Sequence, residues 1–305
     1  MGMKTTNLVS LSAISTEDFW EILETARILK LESKAGVRHD MLAGKTLGMI
    51  FQKPSLRTRV SFETGMWKLG GHAIYLGPSD IKLGQRETTE DIALNLSRYV
   101  DGIMARVFEH QTIKDLAEHA TIPVINGLCD VYHPCQGLAD FLTIWEKKRS
   151  FDGLTLTFIG DGNNVAHSLI NGCAKVGMVF RIACPKGFEP NEAIVAGARE
   201  MGASIEIFHD PREAAVGADV LYTDVWVSMG QETDTSSKQN AFEGFTLDEG
   251  VVALAHKDAI ILHCLPAHYD EEITYGASRS KGSAIFDQAE NRMHAQNAVL
   301  ALLMA

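Results

Sequence analysis

The sequence predicts an α/β protein built from two doubly wound parallel-sheet domains. Three observations carry this. At 305 residues the chain is too long for one ordinary hydrophobic core and fits two domains of typical size. Short apolar runs alternate with segments of helical spacing in both halves, the pattern of βαβ units. A polar break, Lys147-Lys148-Arg149-Ser150, separates the two series and sets the expected domains at residues 1–147 and 148–305.

The elements follow in order. Ser15-Thr16-Glu17-Asp18 precedes Phe19, Ile22, Leu23 and Ala26, so an N-capped helix opens the chain. Leu47–Phe51 reads as a strand, 56–69 as a helix and Ala73–Leu76 as a strand, which makes one βαβ unit. Gly102–Arg106 and Val124–Asn126 are further strands, and Leu138–Glu146 is a helix ending at the polar break. The second half restarts with strands at Leu154–Ile159, Phe180–Ala183, Ser204–Phe208, Val220–Thr223 and Ile260–His263, with helices near Val165–Val176 and Glu192–Met201. Between Gly230 and Phe245 the run Gln-Glu-Thr-Asp-Thr-Ser-Ser-Lys-Gln-Asn is too hydrophilic for a core element and is expected to be a mobile loop.

Composition narrows the function. The chain carries 28 basic and 39 acidic side chains, a formal charge of -11, which argues against non-specific binding to nucleic acid or an anionic membrane. An anionic ligand would have to be held by a few locally placed arginines. The five cysteines are odd in number and show no CxxC spacing, so neither a disulfide framework nor a metal ribbon is expected, and a reducing cytoplasm suits them. No apolar run is long enough for a membrane helix, and no cofactor is called for.

An anion site is expected where strand Leu47–Phe51 runs into Gln52-Lys53-Pro54-Ser55-Leu56-Arg57-Thr58-Arg59. Pro54 restrains the turn, Ser55 caps the next helix, and the free N–H groups of its first turn, including that of Leu56, point at the ligand. The hydroxyls of Ser55 and Thr58 and the guanidinium of Arg57 add donors suited to phosphate. Arg57 and Arg59 lie about 200° apart around a helix, so Arg57 is assigned to the ligand and Arg59 to an ion pair. His133-Pro134-Cys135-Gln136 follows a strand end, as does Arg106, and together they could polarise a carbonyl as an amine attacks it.

In the second half Tyr222-Thr223-Asp224-Val225-Trp226-Val227-Ser228-Met229-Gly230 leaves a strand with a carboxylate for an α-amino group and a hydroxyl for an α-carboxylate. Gly160-Asp161-Gly162-Asn163-Asn164 turns from strand to helix, and Asn164 offers both donor and acceptor to the same amino acid head. His263-Cys264-Leu265-Pro266-Ala267-His268 ends another strand, where the Cys264 thiol and the Leu265 carbonyl could receive a side-chain amine and help it shed its proton.

Ser-Leu-Arg-Thr-Arg resembles the Ser-Thr-Arg-Thr-Arg carbamoyl phosphate motif of the aspartate and ornithine transcarbamoylases, with Leu56 in place of threonine. His-Pro-Cys-Gln is similar to the family's HPxQ box, and DVWxSMG and HCLPA resemble the ornithine-binding and catalytic segments of its ornithine branch. The resemblance spans nearly the whole chain. It implies that carbamoyl phosphate meets Ser55, Leu56, Arg57, Thr58, Arg106, His133, Gln136, Cys264, Leu265 and Arg292, in a cleft between the two domains. It also implies that the last helix, about 288–305, returns to the first domain. Ornithine would meet Asn164, Asp224, Ser228, Met229 and Cys264, with Cys264, Arg106, His133 and Asp224 as catalytic groups and no metal. Lys82 falls where family members donate a residue into a neighbouring subunit's site, often glutamine in the ornithine enzymes, and would make a homotrimer the minimum active unit.

Three other readings compete. A dinucleotide-binding fold is suggested by Gly160-x-Gly162, but the sixth position is Val165 and the next strand ends in Ala183-Cys184-Pro185 with no acidic ribose ligand. A zinc site from His133, Cys135, His263, Cys264 and His268 does not match common spacings. A non-catalytic binding protein of the same fold would have little reason to carry Arg57, Arg106, His133, Asp224 and Cys264 together. Putrescine and N-acetylornithine are the alternative acceptors.

Overall fold

The structure is a computed structural model describing residues 3–81, 83, 86–227 and 235–305. It divides into two compact units, residues 1–142 with 290–305, and 143–289.

The first unit begins with α1 (Thr16–Lys34), whose N-cap Ser15 accepts the Asp18 N–H while Phe19, Ile22, Leu23 and Ala26 are buried. It continues through β1 (Thr46–Phe51), α2 (Leu56–Lys68), β2 (His72–Leu76), α3 (Pro78–Ile81), α4 (Thr89–Leu96), β3 (Gly102–Arg106), α5 (His110–His119), β4 (Val124–Leu128) and the start of α6 (Pro134–Lys148). The four strands are parallel in the order β2-β1-β3-β4. Central β1 and β3 are buried almost throughout, as continuous apolar strands covered on both faces must be, whereas edge strand β2 is half exposed. Ile50, Ile103, Ala105 and Val124 pack with Ile92, Ile113 and Leu116 into the core on one side of this sheet.

The second unit holds β5 (Thr155–Ile159), α7 (Asn164–Val176), β6 (Val179–Ala183), α8 (Glu192–Glu200), β7 (Ser204–Phe208), α9 (Pro211–Ala215), β8 (Val220–Thr223), α10 (Thr235–Ala241), α11 (Glu249–Val252), β9 (Ile260–His263) and α12 (Tyr275–Ser278). Its five parallel strands run β7-β6-β5-β8-β9. The final helix, α13 (Ile285–Met304), passes back into the first unit, where Asn291 accepts a hydrogen bond from buried Lys30 at 2.7 Å.

The expectation of a loop through 230–245 is corrected over its described part, since Thr235–Ala241 is helical. Polarity was a poor guide here because two aromatics just beyond the polar run supply the anchor. Phe242 and Phe245 are both buried, and the Phe242 ring packs on those of Phe188, Trp226 and Phe245, with centroids 5.0–5.8 Å apart.

Both sheets reverse their strand order once, between β1 and β3 in the first and between β5 and β8 in the second. In open α/β sheets, ligands bind beyond the carboxyl ends of the strands at such a switch point. Phe51 and Arg106 end the first pair and Ile159 and Thr223 the second, so each unit presents one candidate binding end.

Candidate functional site

At the first switch point Ser55 caps α2, its hydroxyl oxygen accepting the Thr58 N–H at 3.3 Å and donating to Thr58 Oγ1 at 3.1 Å. Leu56, first residue of the helix, is 75% exposed, so its side chain contributes nothing to packing and its backbone N–H belongs to the unsatisfied first turn. Arg57 is half-buried, while Arg59 points away and bonds Glu63 at 2.9 Å over the ring of Tyr75, the structural ion pair the helical spacing predicted.

Arg106 closes β3 and is only 4% exposed. Its carbonyl accepts the Gln52 N–H, and the β3–β4 register shifts between Ala105 and Arg106, the kind of bulge that re-aims a side chain at a strand end. His133 sits at the start of α6, its carbonyl receiving the N–H groups of Gln136 and Gly137. Burial, then the charges of Arg292, Arg106 and Arg57, hold the His133 imidazole well below its ordinary pKa. His133 is therefore neutral at physiological pH. The charges of all three arginines are felt at His133.

Arg292, on α13, joins the group through Gln136 Oε1 at 2.8 Å and Thr58 Oγ1 at 3.3 Å. Gln136 in turn donates to buried Asp140 at 2.7 Å, which fixes the turn of its amide. The first unit thus brings Ser55, Arg57, Thr58, Arg106, His133, Gln136 and Arg292 into one positively charged site at two helix N-termini, an environment suited to a phosphorylated anion. Lys82 lies outside the described residues.

At the second switch point the turn Gly160-Asp161-Gly162 leads into α7, with Asn163 as its N-cap accepting the N–H groups of Val165 and Ala166. A side chain at Gly162 would collide with the backbone of Glu189 and Pro190, so the turn can approach that segment only as glycine. Asn163 then donates to Asp224 Oδ2 at 2.9 Å. Asp224, 7% exposed, also accepts the Val225 N–H at 2.8 Å and the half-buried Cys264 thiol at 2.9 Å on its other oxygen. Asn164, the first residue of α7, lies partly exposed beside this group. Ser228 and Met229 lie outside the described residues.

Leu265 has a left-handed backbone, φ 60°, a conformation that costs about 1–3 kcal/mol and persists only where the surroundings impose it. Its N–H donates to His263 Nδ1 at 2.8 Å, which leaves the ring proton on Nε2 to donate to Glu272 Oε1 at 2.9 Å. His263 and Glu272 are both fully buried. Asp224, His263 and Cys264 approach within 4.8 Å of one another, but both His263 nitrogens are committed, so the trio offers no imidazole lone pair to a metal.

Sequence reasoning missed Asn163, the residue that holds Asp224, although an asparagine directly before an apolar helical run is a recognisable N-cap. It also missed the Glu272 support of His263, which no local pattern announces.

Comparison with known proteins places both halves in one family. The family described as aspartate/ornithine carbamoyltransferase, carbamoyl-P binding domain, matches residues 6–146, and its Asp/Orn binding domain matches residues 152–303. The anabolic ornithine carbamoyltransferase of Pyrococcus furiosus is 51% identical over 302 residues, covering 98% of this chain and 96% of that protein. The ornithine carbamoyltransferase of Anoxybacillus flavithermus is 51% identical over 306 residues, covering 99% and 98%. The solved Pyrococcus furiosus structure superposes with a TM-score of 0.96 at 50% identity, covering 100% of this chain and 98% of that one. The Thermus thermophilus ornithine carbamoyltransferase structure does so at 0.91 and 42%, covering 99% of each.

Proposed function

Because the chain belongs to the aspartate/ornithine carbamoyltransferase family, we propose that it transfers the carbamoyl group of carbamoyl phosphate to the δ-amine of L-ornithine, giving L-citrulline and phosphate. Residues 1–147 with the last helix bind carbamoyl phosphate, and the rest of 148–305 binds ornithine. The observation that carries this reading is the pairing of opposite charges with opposite roles. A cluster of arginines at the first switch point suits a phosphorylated anion, and a buried carboxylate joined to a thiol at the second suits an amino acid head.

In this reading Ser55, the Leu56 N–H, Arg57, Thr58 and Arg292 hold the phosphate, with Lys82 of a neighbouring subunit. Arg106, neutral His133 and Gln136 hold the carbamoyl group. Negative charge develops on its oxygen as the amine attacks, and Arg106 and His133 stabilise it there. Asp224 takes the α-ammonium, Asn164, Ser228 and Met229 the rest of the head, and Cys264 with the Leu265 carbonyl the δ-amine. The C–N bond forms, the C–O bond to phosphate breaks, phosphate leaves with the electron pair, and the amine surrenders its proton to the departing phosphate, giving citrulline and hydrogen phosphate. No metal is required, since the arginines supply the electrophilic assistance.

Asp224 favours a free α-ammonium over an acetylated one, which carries no positive charge to pair with it. Relatives about half identical over the full chain are named ornithine carbamoyltransferase, and one is named anabolic, which supports a role in arginine biosynthesis. The test is product formation from carbamoyl phosphate with ornithine, N-acetylornithine, putrescine and aspartate. Ornithine should give the highest kcat/KM, and a higher value for any other acceptor would overturn the assignment.

Association of copies finds support on α2, where Leu56, Val60 and Trp67 share one face and are 75%, 51% and 76% exposed, and the family's shared-site position at Lys82 makes the expected number three. Light scattering should return a mass of three 33.4 kDa copies or a multiple of that, and a monomer would refute it. A cytoplasmic location agrees with five cysteines that form no disulfide and with the lack, among the described residues, of a helix able to cross a membrane.

A further inference from the structure

Lys238, on α10, donates to Asp161 Oδ2 at 2.6 Å, and the two side chains are only 12% and 15% exposed. Asp161 belongs to the same β5–α7 turn that carries Asn163, whose backbone N–H it receives at 2.7 Å and whose side chain holds Asp224. The two aspartates are near enough to repel each other. Burial raises the Asp161 pKa, Lys238 opposes the rise, and Asp224 adds to it. Among the described residues Asp224 is held by neutral donors, namely Asn163, the Val225 N–H and Cys264, so its own charge stays available to a ligand.

We propose that Lys238 is a specificity-determining residue for the acceptor: by cancelling the charge of Asp161, it leaves a single negative charge at Asp224, which suits a zwitterionic α-amino acid head better than the bare ammonium end of a diamine. This deepens the ornithine reading and rests on it. With Lys238 in place, the surroundings of the head carry one net negative charge. One ammonium is attracted and the adjacent carboxylate is tolerated. Without it, the charge of Asp161 is no longer offset and adds to that of Asp224, which draws a second cation and repels the substrate carboxylate.

The test compares kcat/KM for ornithine and for putrescine across four variants. Lys238→Gln should lower kcat/KM for ornithine about tenfold, mainly through KM, and shrink the preference for ornithine over putrescine. Lys238→Arg, which keeps the charge, should preserve both. Asp161→Asn leaves an extra positive charge and should widen the preference. The double variant Lys238→Gln with Asp161→Asn removes both charges and should recover the preference lost in Lys238→Gln alone. If the pair serves only to tie α10 to the turn, the double variant stays as impaired as the single one, and the proposal fails. An unchanged preference in Lys238→Gln or Asp161→Asn also overturns it. Failure of the ornithine reading is distinguished from both, because the parent enzyme would then show no preference for ornithine over putrescine before any substitution is made.

Discussion

Replacing Arg106 by alanine should lower kcat/KM for carbamoyl transfer by about 10²–10³-fold, the loss typical when one preorganised donor to a developing oxyanion is removed. Arg106 is 4% exposed at the end of β3, so its charge acts in a medium that screens it poorly. The fold should survive the change. The strand pairs with β1 and β4 through backbone groups, and the Arg106 carbonyl that accepts Gln52 N–H is unaffected by truncation of the side chain. His133 should not take over the electrostatic role. Burial is the leading cause of its lowered pKa, and Arg292 and Arg57 remain, so it stays neutral when Arg106 is gone. Lysine should rescue poorly, because a point charge does not reproduce the planar fork of guanidinium. Steady-state kinetics with saturating ornithine and a thermal melt on the same preparation decide the matter. A loss below about tenfold in a stably folded variant would remove Arg106 from the chemistry.

The strands were the most legible part of this chain. Gly102–Arg106, Val220–Thr223 and Ile260–His263 stand where the apolar runs predicted, because a parallel strand covered on both faces must be apolar along most of its length. Edge strand Ser204–Phe208 was readable for a different reason, the polar–apolar alternation of Ser-Ile-Glu-Ile. The helix at Thr235–Ala241 was illegible from its own residues, since its place is set by Phe242 and Phe245 beyond its end and by Lys238 reaching Asp161 across 77 positions. At the candidate site, residues on one short segment could be read together because a turn brings them together, as with Ser55 and Thr58. The bonds from Arg292 to Thr58 and Gln136 join positions 234 and 156 apart, and only resemblance to a family pointed at that arginine. The His263–Glu272 pair spans only nine positions but depends on an irregular turn, for which sequence periodicity has no signal.

Asp224→Asn should cost about two to three orders of magnitude in kcat/KM for ornithine while leaving carbamoyl phosphate affinity unchanged. The substitution conserves volume, so the loss would be chemical. Oδ2 accepts from the Asn163 amide, and Oδ1 accepts from the Val225 N–H and the Cys264 thiol. Every one of these partners is a donor. With its NH₂ on the Oδ2 side an asparagine meets the Asn163 amide donor, and with it on the Oδ1 side it meets the fixed Val225 N–H, so one hydrogen bond is lost either way. The ammonium of the substrate loses its counter-charge in the same step. Isothermal titration with carbamoyl phosphate supplies the control, because its proposed ligands all belong to the other unit apart from Cys264 and Leu265. If the variant bound carbamoyl phosphate normally and turned over ornithine within tenfold of the parent, the acceptor would have to be held elsewhere. The contact between Asp224 and Cys264 would then be a packing feature of the β8 and β9 ends rather than part of the site.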